Sequence, residues 1–157
     1  MTDYRVGEIE KLISYLYDAV DLAYNENRSL FQMTGIERSM VFRIGCHLNA
    51  LMKKHNFNHL DLDSEYNKNK GQLKTTKNLP KGIRPDLLIH KRDTNDANML
   101  AIEFKGHWNK DRKNDIQKLK DLTSKQDGYN YLLGVLVELG LDGPEYTCFQ
   151  NGKIVKS

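Results

Sequence analysis

The stretch LAIEFKG, residues 100–106, decides how this chain is read. An extended strand sends successive side chains to opposite faces, so Leu100, Ile102 and Phe104 share one face while Glu103 and Lys105 stand together on the other. A carboxylate and an ammonium in an otherwise apolar run mark either a wetted face or a site. As a plain ion pair on an exposed strand they would contribute little.

Working outward, LLIHKR at 87–92 is a second apolar run, separated from MLAIEFKG at 99–106 by DTNDAN, whose Asp, Asn and Thr side chains favour turns. The economical reading is a hairpin. Asp86 then enters one strand as Glu103 leaves the other, and their carboxylates meet at one end of the sheet. Two such groups repel and shift each other's pKa unless a cation lies between them. Oxygen-only ligands suit Mg²⁺, which takes one or two protein carboxylates and fills its other positions with water and phosphate. Lys105 would place an ammonium beside that metal, to hold or help deprotonate a water and to offset phosphate charge.

The flanking segments predict a sheet covered by helices. Residues 7–24 carry Ile9, Leu12, Ile13, Leu16 and Val20 at helical spacing. A second helix from Thr34 keeps Ile36, Met40, Ile44, Leu48 and Leu51 in period, and Thr34 with Glu37 forms a capping-box pattern. HLDLDSEY at 59–66 alternates Leu60 and Leu62 with Asp61 and Asp63, as a strand does. NKDRKNDIQKLKDLTSK at 109–125 reads as a charged helix with Ile116, Leu119 and Leu122 on its stripe and Asp115 and Lys118 on its solvated face. YNYLLGVLVELG at 129–140 reads as a strand buried on both faces, and Asn151-Gly152 as the turn of a closing hairpin.

That order, with RPDLLIH followed by AIEFKG, resembles the PD-(D/E)xK phosphodiesterase superfamily of restriction-endonuclease-like nucleases. Pro85-Asp86 matches the first half of its motif and Glu103-Phe104-Lys105 the second. The resemblance implies an αβββαβ core over about residues 34–139, with an extra N-terminal helix, in one domain spanning 1–157. It also implies a divalent metal, Mg²⁺ with Mn²⁺ as a substitute, on Asp86, Glu103 and the main-chain carbonyl of Phe104. Lys105 would act on the water, and Glu37 would match the acidic residue many members contribute from the preceding helix. Glu65 is a further carboxylate to watch. The Gln-x-x-x-Tyr pattern of the exonuclease-like branch is missing, because Gln117 is followed four residues later by Asp121.

The function implied is a metal-dependent nuclease that hydrolyses phosphodiester bonds in DNA, with a non-catalytic module that binds nucleic acid or a partner protein as the alternative. A protein with no nucleic-acid role is the third reading. RNA as substrate, and a homodimer, stay open.

Composition narrows the class. A chain of 157 residues suffices for one core without staples. Its longest apolar run, YLLGVLV, is far below a membrane span, and MTDYRVGEIE lacks a signal-peptide core, so a soluble cytoplasmic protein is expected. Cys46 and Cys148 stand apart and read as buried, reduced thiols. The net charge is +3, yet Lys68, Lys70, Lys74, Lys77, Lys81 and Arg84 occur in one segment with no acidic residue among them, a basic loop that suits a phosphate backbone. Pro85 is ordinary at a strand entrance. His55 and His59 have the spacing of a metal pair but span a helix end and lack a third ligand. His107 and Trp108 could meet substrate by hydrogen bonding and stacking, or simply lie at the surface.

Overall fold

In the computed structural model, residues 3–156 are described, with side chains from residue 5 onward. Met1 and Thr2, at the head of the charged N-terminal stretch, lie outside the described residues. The elements are helices α1 (Asp3–Glu26), α2 (Arg28–Gln32), α3 (Glu37–Lys54) and α4 (Lys113–Thr123), and strands β1 (Asp61–Ser64), β2 (Lys68–Asn69), β3 (Gln72–Leu73), β4 (Leu87–His90), β5 (Leu100–Gly106), β6 (Leu133–Leu139), β7 (Pro144–Gln150) and β8 (Lys153–Lys156). The protein is α/β, with a mixed sheet in the order β1-β4-β5-β6-β7-β8. Among the described residues only the β5–β6 pair is parallel. Parallel neighbours need a crossover, and α4 supplies it.

Helices cover both faces of the sheet. On one side Leu12, Leu16 and Val20 of α1 and Met40, Ile44 and Leu48 of α3 pack on Leu100, Ile102 and Phe104 of β5. On the other, Leu119 and Leu122 of α4 pack on Leu88, Ala101, Leu136 and Phe149. Each fully buried leucine or isoleucine stabilises by about 2 kcal/mol, so the alternation in LAIEFKG feeds two cores rather than one core and water. Gly134 allows the close approach of α4: a Cβ there would stand 3.1 Å from Thr123 and 3.3 Å from Leu119.

Several local expectations change. The first helix starts earlier and is followed by the short α2, which no periodicity announced. Thr34 does not cap α3; the N-cap is Ile36, without a side-chain hydrogen bond, and Glu37 is turned to another use described below. Inside the lysine-rich segment lies a small two-stranded sheet, β2–β3. Lys74 from that segment is buried, 2% exposed, with its Nζ 4.9 Å from the ring centre of Tyr129 and 5.7 and 5.8 Å from those of Tyr66 and Tyr131. It is therefore no part of a solvated basic loop. Cys46 is exposed, because it lines an open groove beside α3, whereas Cys148 is buried as expected. The closing hairpin forms as read, with Asn151 and Gly152 both at positive φ, 51° and 76°. Among the described residues, no helix is long and apolar enough to cross a membrane.

Candidate active site

Strand β5 is longer than β4, and its overhang builds the site. Pairing between them ends at Leu87 opposite Ile102. One step further, Asp86 precedes β4 and Glu103 continues β5. The Phe104 amide, which has run out of ladder partner, donates to Asp86 Oδ2 at 2.8 Å. Two residues on, the Gly106 amide donates to Glu37 Oε2 at 2.9 Å. Carboxylates from two separate elements thus replace a missing strand. A side chain at Gly106 would collide with the Trp108 ring, so glycine lets the indole fold back over the strand end.

On the α4 side, Glu103 and Lys105 meet the helix. Lys105 Nζ pairs with Asp115 Oδ2 at 2.6 Å, while Lys118 Nζ lies 3.3 Å from Glu103 Oε2 and 3.5 Å from Asp115 Oδ1. Asp115 and Lys118 are therefore not solvated face residues: Asp115 is 7% exposed, and both point at the sheet. The signal was present in the sequence, because 115, 118, 119 and 122 follow the i, i+3, i+4, i+7 spacing of one helix face. What hid it was that two of the four are charged.

Electrostatics separates these groups into strained and satisfied. Burial pushes Asp86 up to about 6, with Glu37 and Asp115 adding to the rise against the Phe104 amide and Lys118. Glu103 is raised well above the ordinary range, first by burial and then by Asp86. Its Oε1 is buried without a hydrogen-bond partner. The two lysines move up as well: burial opposes their charge, but Asp115 outweighs it for Lys105, and Glu103 with Asp115 outweighs it for Lys118. Four carboxylates, Glu37, Asp86, Glu103 and Asp115, face two ammoniums, which leaves a deficit of two positive charges when all are ionised.

Other expectations resolve elsewhere. Glu65, at φ 51°, leaves the strand and lies 3.7 Å from Arg38 Nη2 and 4.0 Å from Arg84 Nε, at the mouth of a groove of about 450 Å³ that Glu37 and Asp86 also line. It does not share a cluster with Asp61 and Asp63, which bind Arg92. His55 stacks on Tyr15 with ring centres 4.7 Å apart, and His59 Nε2 lies 2.8 Å from Glu8 Oε1, so the pair is not a metal site. His107 Nε2 is 3.2 Å from the Met33 carbonyl oxygen, edge-on to Trp108. Among the described residues, no three His, Cys, Asp or Glu side chains group in a way that could hold a metal ion. Asp86 stands close enough to Glu103 to raise its pKa, and Glu103 Oε1 is a buried oxygen lacking a partner. Oxygen donors with an excess of negative charge fit a hard divalent cation. Compared with protein-family models the chain matches none, and no curated protein matches it.

Proposed function

We propose that the protein is a Mg²⁺-dependent nuclease with a restriction-endonuclease-like core, hydrolysing phosphodiester bonds in DNA. The observation that carries this reading is the meeting of Asp86, Glu103, Lys105 and Glu37 at the overhanging end of β5, with Asp86 and Glu103 raised by burial and by neighbouring carboxylates. Mg²⁺, or Mn²⁺ in its place, held by Asp86, Glu103 and the Phe104 carbonyl would polarise a phosphodiester oxygen and lower the pKa of a bound water.

The chain's own residues do the rest. Lys105 is held protonated by Asp115, so it acts as a fixed cation that positions water and offsets charge gathering on the phosphoryl oxygens. Lys118 offsets part of the Glu103 charge and, held between Glu103 and Asp115, adds a second ammonium for a phosphate oxygen. Asp115 sets the direction of both ammoniums, a positioning role. Glu37 holds the Gly106 amide and so fixes the strand end on which Glu103 and Lys105 are mounted.

Incubation with linear, circular and single-stranded DNA, each in EDTA, Mg²⁺ and Mn²⁺, tests the reading. Metal-dependent cleavage lost in both Glu103→Ala and Lys105→Ala is the expected result; undiminished cleavage in both variants would overturn it. The pairing of Lys105 with Asp115 and of Glu103 with Lys118 inside the chain favours the second reading, a nuclease-fold module that binds nucleic acid or a partner protein without cutting. Salt-sensitive DNA binding with no metal uptake would select it.

A further inference from the structure

Strand β1 is an edge of the sheet, and among the described residues no strand pairs with its outer side. Its register with β4 settles which groups are free there. The Glu65 amide donates to the Asp86 carbonyl at 3.2 Å, continuing the pairing of Ser64 with Leu87. Hydrogen-bonded pairs alternate along an antiparallel ladder, so Asp61 and Asp63 turn their main-chain groups to β4 while Leu62 and Ser64 turn theirs outward. Leu62 and Ser64 also line the groove of about 450 Å³ between α3 and β1. Free main-chain donors and acceptors thus run beside an open pocket, an arrangement that accepts an added strand.

The lining of the groove defines what that strand must carry. Val41, Phe42, Leu62 and Leu87 make its walls apolar, and Phe42 is 65% exposed. Three carboxylates, Glu37, Glu65 and Asp86, stand against the single guanidinium of Arg38. Arg38 lies 3.7 Å from Glu65, and Arg84 reaches that same carboxylate at 4.0 Å from outside the lining. Among the described residues Glu37 and Asp86 enter no ion pair; they hold the Gly106 and Phe104 amides. The complement is therefore apolar along the walls and cationic at the Glu37 and Asp86 end. A second copy of β1 does not meet it. With Leu62 and Ser64 as the hydrogen-bonding residues on both sides, any antiparallel self-pairing sets Asp61, Asp63 and Glu65 against one another, and like charges directly opposite destabilise.

We propose that β1 and this groove take up an extended basic segment of another protein. Its main chain pairs with Leu62 and Ser64, an apolar side chain lies against Phe42, and a lysine or arginine on the same face of the segment reaches Glu37 and Asp86. The inference stands apart from phosphodiester cleavage and holds whether or not the site cuts.

The full chain, in EDTA at about pH 8 where Asp86 is ionised, is titrated with a labelled peptide of about eight residues alternating lysine and valine, and anisotropy is followed. Saturable binding that slows maleimide labelling of Cys46 about tenfold is the expected result, because Cys46 lines the groove and is exposed whereas Cys148 is buried. A glutamate–valine peptide does not bind. Phe42→Ala and Asp86→Asn, both checked for folding by circular dichroism, each weaken binding by about tenfold. N-methylation of alternate peptide amides weakens it as much with the protein untouched. No binding, equal binding by an oligolysine of the same charge, binding indifferent to N-methylation or to Phe42→Ala, or equal protection of Cys46 by a single-stranded oligonucleotide would each overturn the inference. Protection that grows with protein concentration when no peptide is present assigns the groove to a second copy and overturns it as well.

Discussion

Strand β4 carries a polar cluster at each end, and the two are opposites. Past His90, Asp63 receives Arg92 through Nη2 at 2.5 Å and Nε at 2.8 Å, with His90 Nε2 at 2.7 Å. Burial raises its pKa, but Arg92 and His90 outweigh that and hold the carboxyl below its ordinary value. Before Leu87, Asp86 and Glu103 are raised, and one Glu103 oxygen has no partner. The first cluster is complete by itself. The second is short of positive charge, the condition that marks a carboxylate cluster as a candidate functional site.

The comparison breaks most sharply at activity. Glu103→Ala or Lys105→Ala lowers metal-dependent cleavage at least about 1,000-fold, while Asp63→Ala leaves the specific activity of the folded fraction intact; an assay of all three on one substrate decides it. Stability runs the other way. Asp63→Ala leaves the buried His90 without its partner, while the half-exposed Arg92 keeps Asp61 and water, and costs about 1–3 kcal/mol in urea unfolding, whereas Glu103→Gln, which removes an unfavourable buried charge, leaves metal-free stability unchanged or higher.

Acidity sharpens the contrast further. The folded pKa of Asp86 is above the ordinary 3.8, at about 6, so its effect is absent at low pH and stability falls as pH rises between those values, by up to about 3 kcal/mol at about 1.4 kcal/mol per unit. For Asp63 the folded pKa is depressed, so its contribution is present above 3.8 and lost as pH falls through the folded value. Denaturant midpoints measured in EDTA across this range should lose the downward limb in Asp86→Asn and the acid limb in Asp63→Asn.

The smallest effect is at the third buried charge. Burial lowers Lys74 to about 8, and three tyrosine rings take the place of a carboxylate. Lys74→Met therefore changes stability at neutral pH by only about 1 kcal/mol. It also removes the gain that wild type shows as pH rises from about 8 and the lysine neutralises. Thermal unfolding at pH 7 and 9 checks both.

Much of the sheet was legible because LAIEFKG, HLDLDS and YLLGVLVEL carry period-two or continuous apolar patterns, and burial on each face enforces them. Asp86, Glu103 and Glu37 were legible through hairpin register and a motif. Asp115 and Lys118 were not, since a charged residue on a helix reads as solvated until its partner across 10 to 15 residues of sequence is known to face it. Lys74 misled for a related reason: aromatic rings that bury an ammonium come from positions 66, 129 and 131, and no local pattern links them. Thr34 showed the limit of short motifs, because Glu37 found a stronger donor in Gly106 than in its own helix end.

The crossover from β5 through α4 to β6 has a kinetic consequence. Glu103, Lys105, Asp115 and Lys118 all lie on that one continuous segment, so their ion pairs close small loops and form early. Asp86 and Glu37 must travel from 18 and 69 residues away to reach the Phe104 and Gly106 amides. The β4–β5 hairpin brings in Asp86 over a loop about as short as those of the lysine pairs, and only Glu37 waits for long-range closure. Capture of the Gly106 amide by Glu37 is then the late event, a clock for the docking of α3 onto a strand end already in place.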